Sequence, residues 1–297
     1  MAATVNVNGR ISAAKDAVIP VFDHGFLYGE GIYETLRTYD GRLFLFDRHL
    51  RRLRNSARMI DLEIPFANDD ELVAHIRDTI DAANFDVAAL YDRRPDAYVR
   101  VMITRGVGEL TYDLLATPKP SWVIIVKPLV PPAAEVYERG VKVVLADVVR
   151  NHPRSVNPMI KSNNLMNSAL AAQEATKRGG FEAVMRNYRG ELTECTQSNF
   201  FIVKSDAALT PPLESGLLPG ITRELIFELG RANDIEVREQ LLRDDDLFGA
   251  DETFLTSTTR EILPVVTVDD RTIGNGKPGP VTMKLLKAFR SFCSGGL

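Results

Sequence analysis

A chain of 297 residues, 45% hydrophobic and 26% charged, has an ordinary globular composition, long enough to bury a core without disulfides and to make roughly two domains of about 150 residues each. Lysine and arginine total 36 against 40 acidic residues, a net charge of -4, which argues against a nucleic-acid-coating protein and gives no sign of a membrane-surface one. The longest apolar run, Trp122–Val126, is strand-sized and too short for a bilayer, the first residues lack the basic-then-apolar pattern of a signal peptide, and two cysteines without a Cys-x-x-Cys pair fit a reducing cytoplasm.

Residues 4–12 alternate around Asn8-Gly9, a hairpin signal, and residues 33–46 repeat the pattern around Asp40-Gly41. Asp47 is placed to cap a helix running to Ile60, and a second helix starts at Asp69-Asp70. Residues 97–104 read as a strand with Tyr98, Arg100 and Met102 on one face and Val99, Val101 and Ile103 on the other. A glycine turn, Arg105–Leu110, and the strand Trp122–Val126 follow. The stretch Lys127–Glu135 holds three prolines and reads as a linker. Beyond it come a strand from Val141, a helix over 164–178 stopped by Gly179-Gly180, strands at 182–187 and 199–203, a helix from Ile221, strands at 235–239 and 253–257, and a last helix over 282–292. The pattern divides into a small α+β domain over residues 1–127, a linker over 128–138 and a larger α/β domain over 139–297.

Lys161 follows the apolar step Met159-Ile160 and precedes Asn163 and Asn164 at the start of a helical pattern. Such a lysine is ordinarily solvated. The alternative is a Schiff-base lysine, which needs an aldehyde cofactor; for pyridoxal phosphate the chain must also supply an acid for the ring nitrogen and anion-binding groups for the phosphate. Pro219-Gly220 before a helical run leaves the N–H groups of Ile221 and Thr222 at a helix N-terminus, and Thr256–Thr259 gather four hydroxyls in a turn; the plainer readings are a capped helix and a polar turn. The helix over 47–60 has an apolar stripe of Phe46, Leu50, Leu53, Ala57 and Ile60. At about 100° per residue its Arg51, Arg54 and Arg58 fall on one flank, while Arg52 lies with Ser56 at the core edge. The five arginines of this helix otherwise read as a solvated face. Glu194, next to residues that look buried, is the candidate acid, against the reading of a solvated strand end. Gly29–Glu34 lacks the third glycine and the preceding strand of a dinucleotide site. Four scattered histidines offer no metal-ligand spacing, and Cys195 and Cys293 read as buried small residues.

Taken in order, FLYGEGIYETLRTYDG, HLRRLRNSA, IKSNNLMNSALAAQEA, LTECTQSNFF, LLPGITRE and TSTTREILPV resemble the class IV, fold type IV, pyridoxal-phosphate aminotransferases, from Val5 to Phe292. That group holds branched-chain, D-amino-acid and R-amine transaminases and aminodeoxychorismate lyase. The resemblance implies an α/β fold like that of D-amino-acid aminotransferase, with Lys161 as the Schiff-base lysine. Arg52, Ile221, Thr222 and Thr258 would bind the phosphate, Glu194 would pair with the ring nitrogen, and Leu218 would pack on the ring. It further implies a homodimer in which Tyr28 and the loop Gly106–Leu110 complete the neighbouring subunit's pocket.

Within the group, the loop after Arg105 lacks the Arg-x-His pair of the D-amino-acid enzymes. Tyr33, Tyr98 and Arg100 match a branched-chain pocket, two tyrosines for an apolar side chain and an arginine for the distal carboxylate of glutamate. The backbone of Thr258 and Thr259 would take the α-carboxylate. The expected reaction is transfer of an amino group from a branched-chain L-amino acid to 2-oxoglutarate, with small-molecule partners only. Met166 and Thr35 depart from the branched-chain pattern, where a tyrosine and a glycine are usual, and keep the D-amino-acid, R-amine and lyase activities as alternatives.

Overall fold

The computed structural model describes residues 3–84 and 96–295. The chain divides into two compact units, Met1–Val130 with Ile160–Asn164, and Pro131–Met159 with Leu165–Leu297.

In the first unit the elements run β1 (Thr4–Val7), β2 (Arg10–Ala13), α1 (His24–Leu27), β3 (Gly31–Tyr39), β4 (Arg42–Leu43), α2 (Phe46–Arg58), α3 (Asp69–Ala82), β5 (Ala97–Thr104) and β6 (Ser121–Pro128). They form an antiparallel sheet in the order β2-β1-β6-β5-β3-β4. Both expected hairpins are present. Each turns through two residues of positive φ, Asn8 (49°) with Gly9 (91°) and Asp40 (49°) with Gly41 (79°), the backbone that matches the twist of the flanking strands.

The alternation in β3 and β5 sorts the sheet into two faces. Ile32, Leu36, Val99, Val101 and Ile103 are buried in one core with Leu50, Leu53 and Ala57 of α2 and Leu72 and Ile76 of α3. Truncating a residue as enclosed as Leu53 to alanine costs about 2–5 kcal/mol. Tyr33, Thr35, Tyr98, Arg100 and Met102 alternate with these and are half-buried. Asp47, expected as the cap of α2, instead lies in its first turn. The chain enters the helix through Leu45 in the left-handed region, with no side-chain cap. In α3 the Asn68 side chain accepts the Glu71 N–H and closes the N-terminus.

In the second unit α4 (Ala134–Arg139), β7 (Val141–Leu145), α5 (Met166–Lys177), β8 (Glu182–Arg186), β9 (Leu192–Cys195), β10 (Asn199–Lys204) and β11 (Ala207–Thr210) come first. They are followed by α6 (Ile221–Ala232), β12 (Val237–Glu239), α7 (Asp244–Phe248), β13 (Glu252–Ser257), β14 (Glu261–Val268), β15 (Arg271–Thr272) and α8 (Pro280–Gly295). The mixed sheet has the order β12-β11-β10-β13-β14-β7-β8-β9, with β15 beside β14. Pairings β11–β12, β14–β7 and β7–β8 are parallel and the others antiparallel. Strands broken by helices make this an α/β fold, as the sequence predicts.

The stretch 128–138, expected as a linker, holds the end of β6 and most of α4; Pro131 and Pro132 precede the helix, where a missing N–H does no harm. The residue pattern does not announce β14, because Pro264 at its middle argues against a paired strand; Pro264 pairs with Phe254 all the same. Among the described residues no helix is long and apolar enough to cross a membrane.

Candidate active site

Lys161 belongs to the first unit although the residues on either side of its segment belong to the second. Its segment meets β3 at a single antiparallel bridge, Ser162 opposite Ile32. The Tyr33 N–H donates to the Lys161 carbonyl (2.9 Å), the Asn163 N–H to the Gly31 carbonyl (2.8 Å), and the Lys161 N–H to Ser56 Oγ on α2 (3.1 Å). The approach is close enough to need glycine at position 31: a Cβ there would lie 2.5 Å from Asn163 Nδ2 and 2.9 Å from the Ile103 carbonyl oxygen. The backbone is thus fixed on three sides, and Lys161 Nζ stands 4.5 Å from the centre of the Tyr33 ring. The Arg100 guanidinium lies 3.9 Å from the centre of the same ring, a cation–π contact on the half-buried face of the sheet.

On the opposite face of β3, Glu34 projects towards α2. It is buried and accepts Arg52 Nε (2.7 Å), Arg52 Nη2 (2.8 Å) and His49 Nδ1 (2.8 Å). Burial alone would raise the Glu34 pKa, but the Arg52 guanidinium and then His49 outweigh it and hold the carboxyl far below its usual range. Burial lowers the His49 pKa, with Glu34 opposing, so the imidazole is neutral at pH 7. Of the arginines of α2, Arg52 is buried and Arg51, Arg54 and Arg58 are exposed.

In the second unit Glu194, at the end of β9, is also buried. Its Oε1 accepts Arg150 Nε (2.8 Å); its Oε2 accepts the Leu218 N–H (3.0 Å) and, at 3.5 Å, Asn199 Nδ2. Asn199 also donates to the Leu218 carbonyl (3.0 Å), and Arg150 Nη1 donates to Asn167 Oδ1 (3.1 Å). Two residues after Leu218, Gly220 precedes α6 with no side-chain cap, and Ile221 and Thr222 form the buried first turn. A Cβ at Gly220 would fall 1.9 Å from Asn199 Oδ1, so only glycine lets the start of α6 come this near the Glu194 cluster. Thr258 and Thr259 sit in the short turn between Ser257, the last residue of β13, and Glu261, the first of β14. Burial, with Glu182 and Glu194 adding, pushes the Cys195 thiol well up, so it stays protonated and is no nucleophile.

The structure therefore brings together Lys161, Tyr33 and Arg100 in one unit, and Glu194, Leu218 and the start of α6 in the other. Tyr98 shares a sheet face with Arg100, and the Lys127 ammonium lies 4.8 Å from its ring centre. Tyr28 closes α1 and packs its ring on His24 and Tyr112. Sequence reasoning missed Glu34, His49, Arg150 and Asn199. Glu34 left a signal: in β3 it shares a face with Ile32 and Leu36, and a carboxylate at an inward position requires a buried partner. Arg150 left none, being 44 residues from Glu194.

These features fit pyridoxal phosphate. In the first unit a lysine amine lies against an aromatic ring; in the second, taken by itself, a buried acid is bonded by an arginine, a helix N-terminus has no side-chain cap, and the buried Thr256 and Ser257 hydroxyls have no partner among the described residues. The profile of the amino-transferase class IV family matches residues 31–268, and the chain belongs to that family: it is a pyridoxal-phosphate-dependent aminotransferase.

Among relatives, a Methanocaldococcus jannaschii protein provisionally named branched-chain-amino-acid aminotransferase is 37% identical, over 96% of this chain and 95% of its own length. The D-alanine aminotransferase of Bacillus licheniformis is 32% identical, over 96% and 95%. The crystal structure of the Escherichia coli branched-chain amino acid aminotransferase superposes with a TM-score of 0.89 at 31% identity, over 97% of this chain and 93% of that one. The chain is thus a class IV aminotransferase of branched-chain-aminotransferase-like kind, and D-alanine aminotransferases stand near it.

Proposed function

We propose that this aminotransferase moves the amino group of a branched-chain L-amino acid to 2-oxoglutarate, with Lys161 as Schiff-base lysine and proton shuttle. The observation that carries this reading is the Tyr33 ring with Lys161 Nζ and the Arg100 guanidinium against it: a base, an apolar wall and a carboxylate receptor on one sheet face. A single pocket must accept an apolar branched side chain in one half-reaction and a carboxylate in the other. Tyr33 and Tyr98 suit the first and Arg100 the second.

When bound, pyridoxal phosphate would supply an aldehyde for the amino group and a ring able to take up the electron pair of the Cα–H bond. Arg52, the N–H groups of Ile221 and Thr222, and Thr258 would bind its phosphate, and Leu218 would pack on the ring. Glu194, bonded by Arg150, would hold the proton on the ring nitrogen. The N–H groups of Thr258 and Thr259 take the substrate α-carboxylate. Lys161 Nζ would take the Cα proton, being the amine in reach of that carbon. Exposed apolar side chains at Phe22, Phe26, Leu110 and Tyr112 support a homodimer in which Tyr28 and the loop Gly106–Leu110 complete the neighbouring subunit's pocket.

The test is a half-reaction screen. L-leucine, L-valine and L-isoleucine should discharge the absorbance of the bound cofactor, 2-oxoglutarate should restore it, and D-alanine and R-amines should react far more slowly. Faster reaction with D-alanine would move the protein to the D-amino-acid branch. Lys161→Ala should abolish borohydride trapping of the cofactor and lower transamination by at least about 10³-fold.

A further inference from the structure

Arg260 ends the turn that carries Thr258 and Thr259, and its side chain leaves that turn altogether. Nη1 meets Glu182 Oε2 at 2.6 Å and Nη2 meets Gln197 Oε1 at 3.2 Å, with the guanidinium 5.0 Å from the centre of the Phe181 ring. The Arg260 carbonyl accepts the Tyr137 hydroxyl at 3.1 Å. Glu182 has a 2% exposed side chain and is already the fastening point of a second turn. It accepts the Gln197 N–H (2.6 Å), Thr196 Oγ1 (3.1 Å) and Ser198 Oγ (3.0 Å).

That second turn joins Glu194–Cys195 to Asn199. Because Asn199 pairs with Thr256 across β10 and β13, the two turns lie at the same end of one strand pair. A single buried carboxylate therefore ties the turn that follows the candidate ring acid to the turn that carries the candidate carboxylate-binding residues.

As a stability device this half-buried pair is inefficient, since the cost of burying the Glu182 carboxylate offsets much of the attraction. As a spacer it is effective: it sets one turn against the other through short charge-assisted bonds. We propose that Arg260 is a positioning residue which, through Glu182, holds the Thr258–Thr259 backbone in place for the substrate α-carboxylate. Its loss weakens substrate capture more than turnover. This rests on the assignment of that turn to the α-carboxylate under the proposed function.

The experiment uses holoenzyme and 4-methylpentanoate, a carboxylate with the leucine skeleton and no amino group. Two readouts are taken: amide hydrogen exchange over residues 256–261 with and without the probe, and the KM and kcat of the L-leucine half-reaction. Wild type should show probe-dependent protection of these amides. Arg260→Gln should lose that protection and raise KM about tenfold while kcat changes less than about threefold. Arg260→Lys should recover most of both. Glu182→Gln should repeat the Arg260→Gln result, and the double variant should be no worse than either single one. If wild type shows no protection, the carboxylate assignment of the turn falls and this inference with it. If wild type is protected and Arg260→Gln is protected equally with an unchanged KM, the inference alone falls, even where the variant melts at a lower temperature.

Discussion

Glu34 in the first unit and Glu194 in the second are both buried strand carboxylates beside an arginine, yet they are held in different ways. Arg52 grips both oxygens of Glu34 through Nε and Nη2, and His49 adds a third bond. Glu194 meets a charge at one oxygen, Arg150 Nε on Oε1, while Oε2 accepts neutral donors from Leu218 and Asn199; Arg150 turns its Nη1 to Asn167 instead. The first arrangement joins α2 to β3 and fixes the guanidinium proposed above to bind the cofactor phosphate. The second fixes the direction of a carboxylate through one charged and two neutral donors. The same residue types thus make a helix-to-strand joint in one case and, under the proposed function, an aimed acid in the other.

Three measurements bear on this contrast. The largest effect is expected from Glu34→Gln, which leaves Arg52 facing a neutral amide in the core. Chemical denaturation should show a loss of about 3–5 kcal/mol, as for a broken buried ion pair. Glu194→Gln should cost less stability and act on the chemistry instead, lowering turnover about 10²-fold with the cofactor still bound. A Glu194→Gln enzyme with wild-type turnover, or a Glu34→Gln protein of wild-type stability, would dissolve the distinction.

The smallest effect is in pH dependence. The folded pKa of His49 is depressed, so below its ordinary value of 6.5 the unfolded chain binds the proton more readily and stability is lost as pH falls. Glu34 is also depressed, from 4.5, so its contribution is intact above that value and is lost only in more acid solution. The melting temperature should therefore decline in two stages. His49→Gln should flatten the first stage and leave the second.

Much of the fold is legible in local chemistry. Asn8-Gly9 and Asp40-Gly41 announce their hairpins because their backbone requires positive φ, and the alternation of residues 97–104 by itself separates Tyr98 and Arg100 from the core valines. The stripe of α2 likewise singles out Arg52 as the arginine at the core edge. Legibility fails where distant residues decide. Asp47 looks like a cap, but the start of α2 is set by the left-handed turn at Leu45. Pro264 hides β14 because a strand's tolerance of proline depends on its neighbours. For the candidate site, the lysine, the acid and the glycine before α6 stand out as residue types. The groups that orient them, Arg150, Asn199 and Ser56, meet them only after folding.

The segment Ile160–Asn164 belongs to the first unit, while the chain on both sides of it belongs to the second. During biosynthesis the first 130 residues are therefore made without the segment that bonds the Gly31 carbonyl and the Tyr33 N–H of β3. A fragment ending at Val130 should accordingly be an incomplete folding unit, and supplying residues 160–164 as a separate peptide should help restore it.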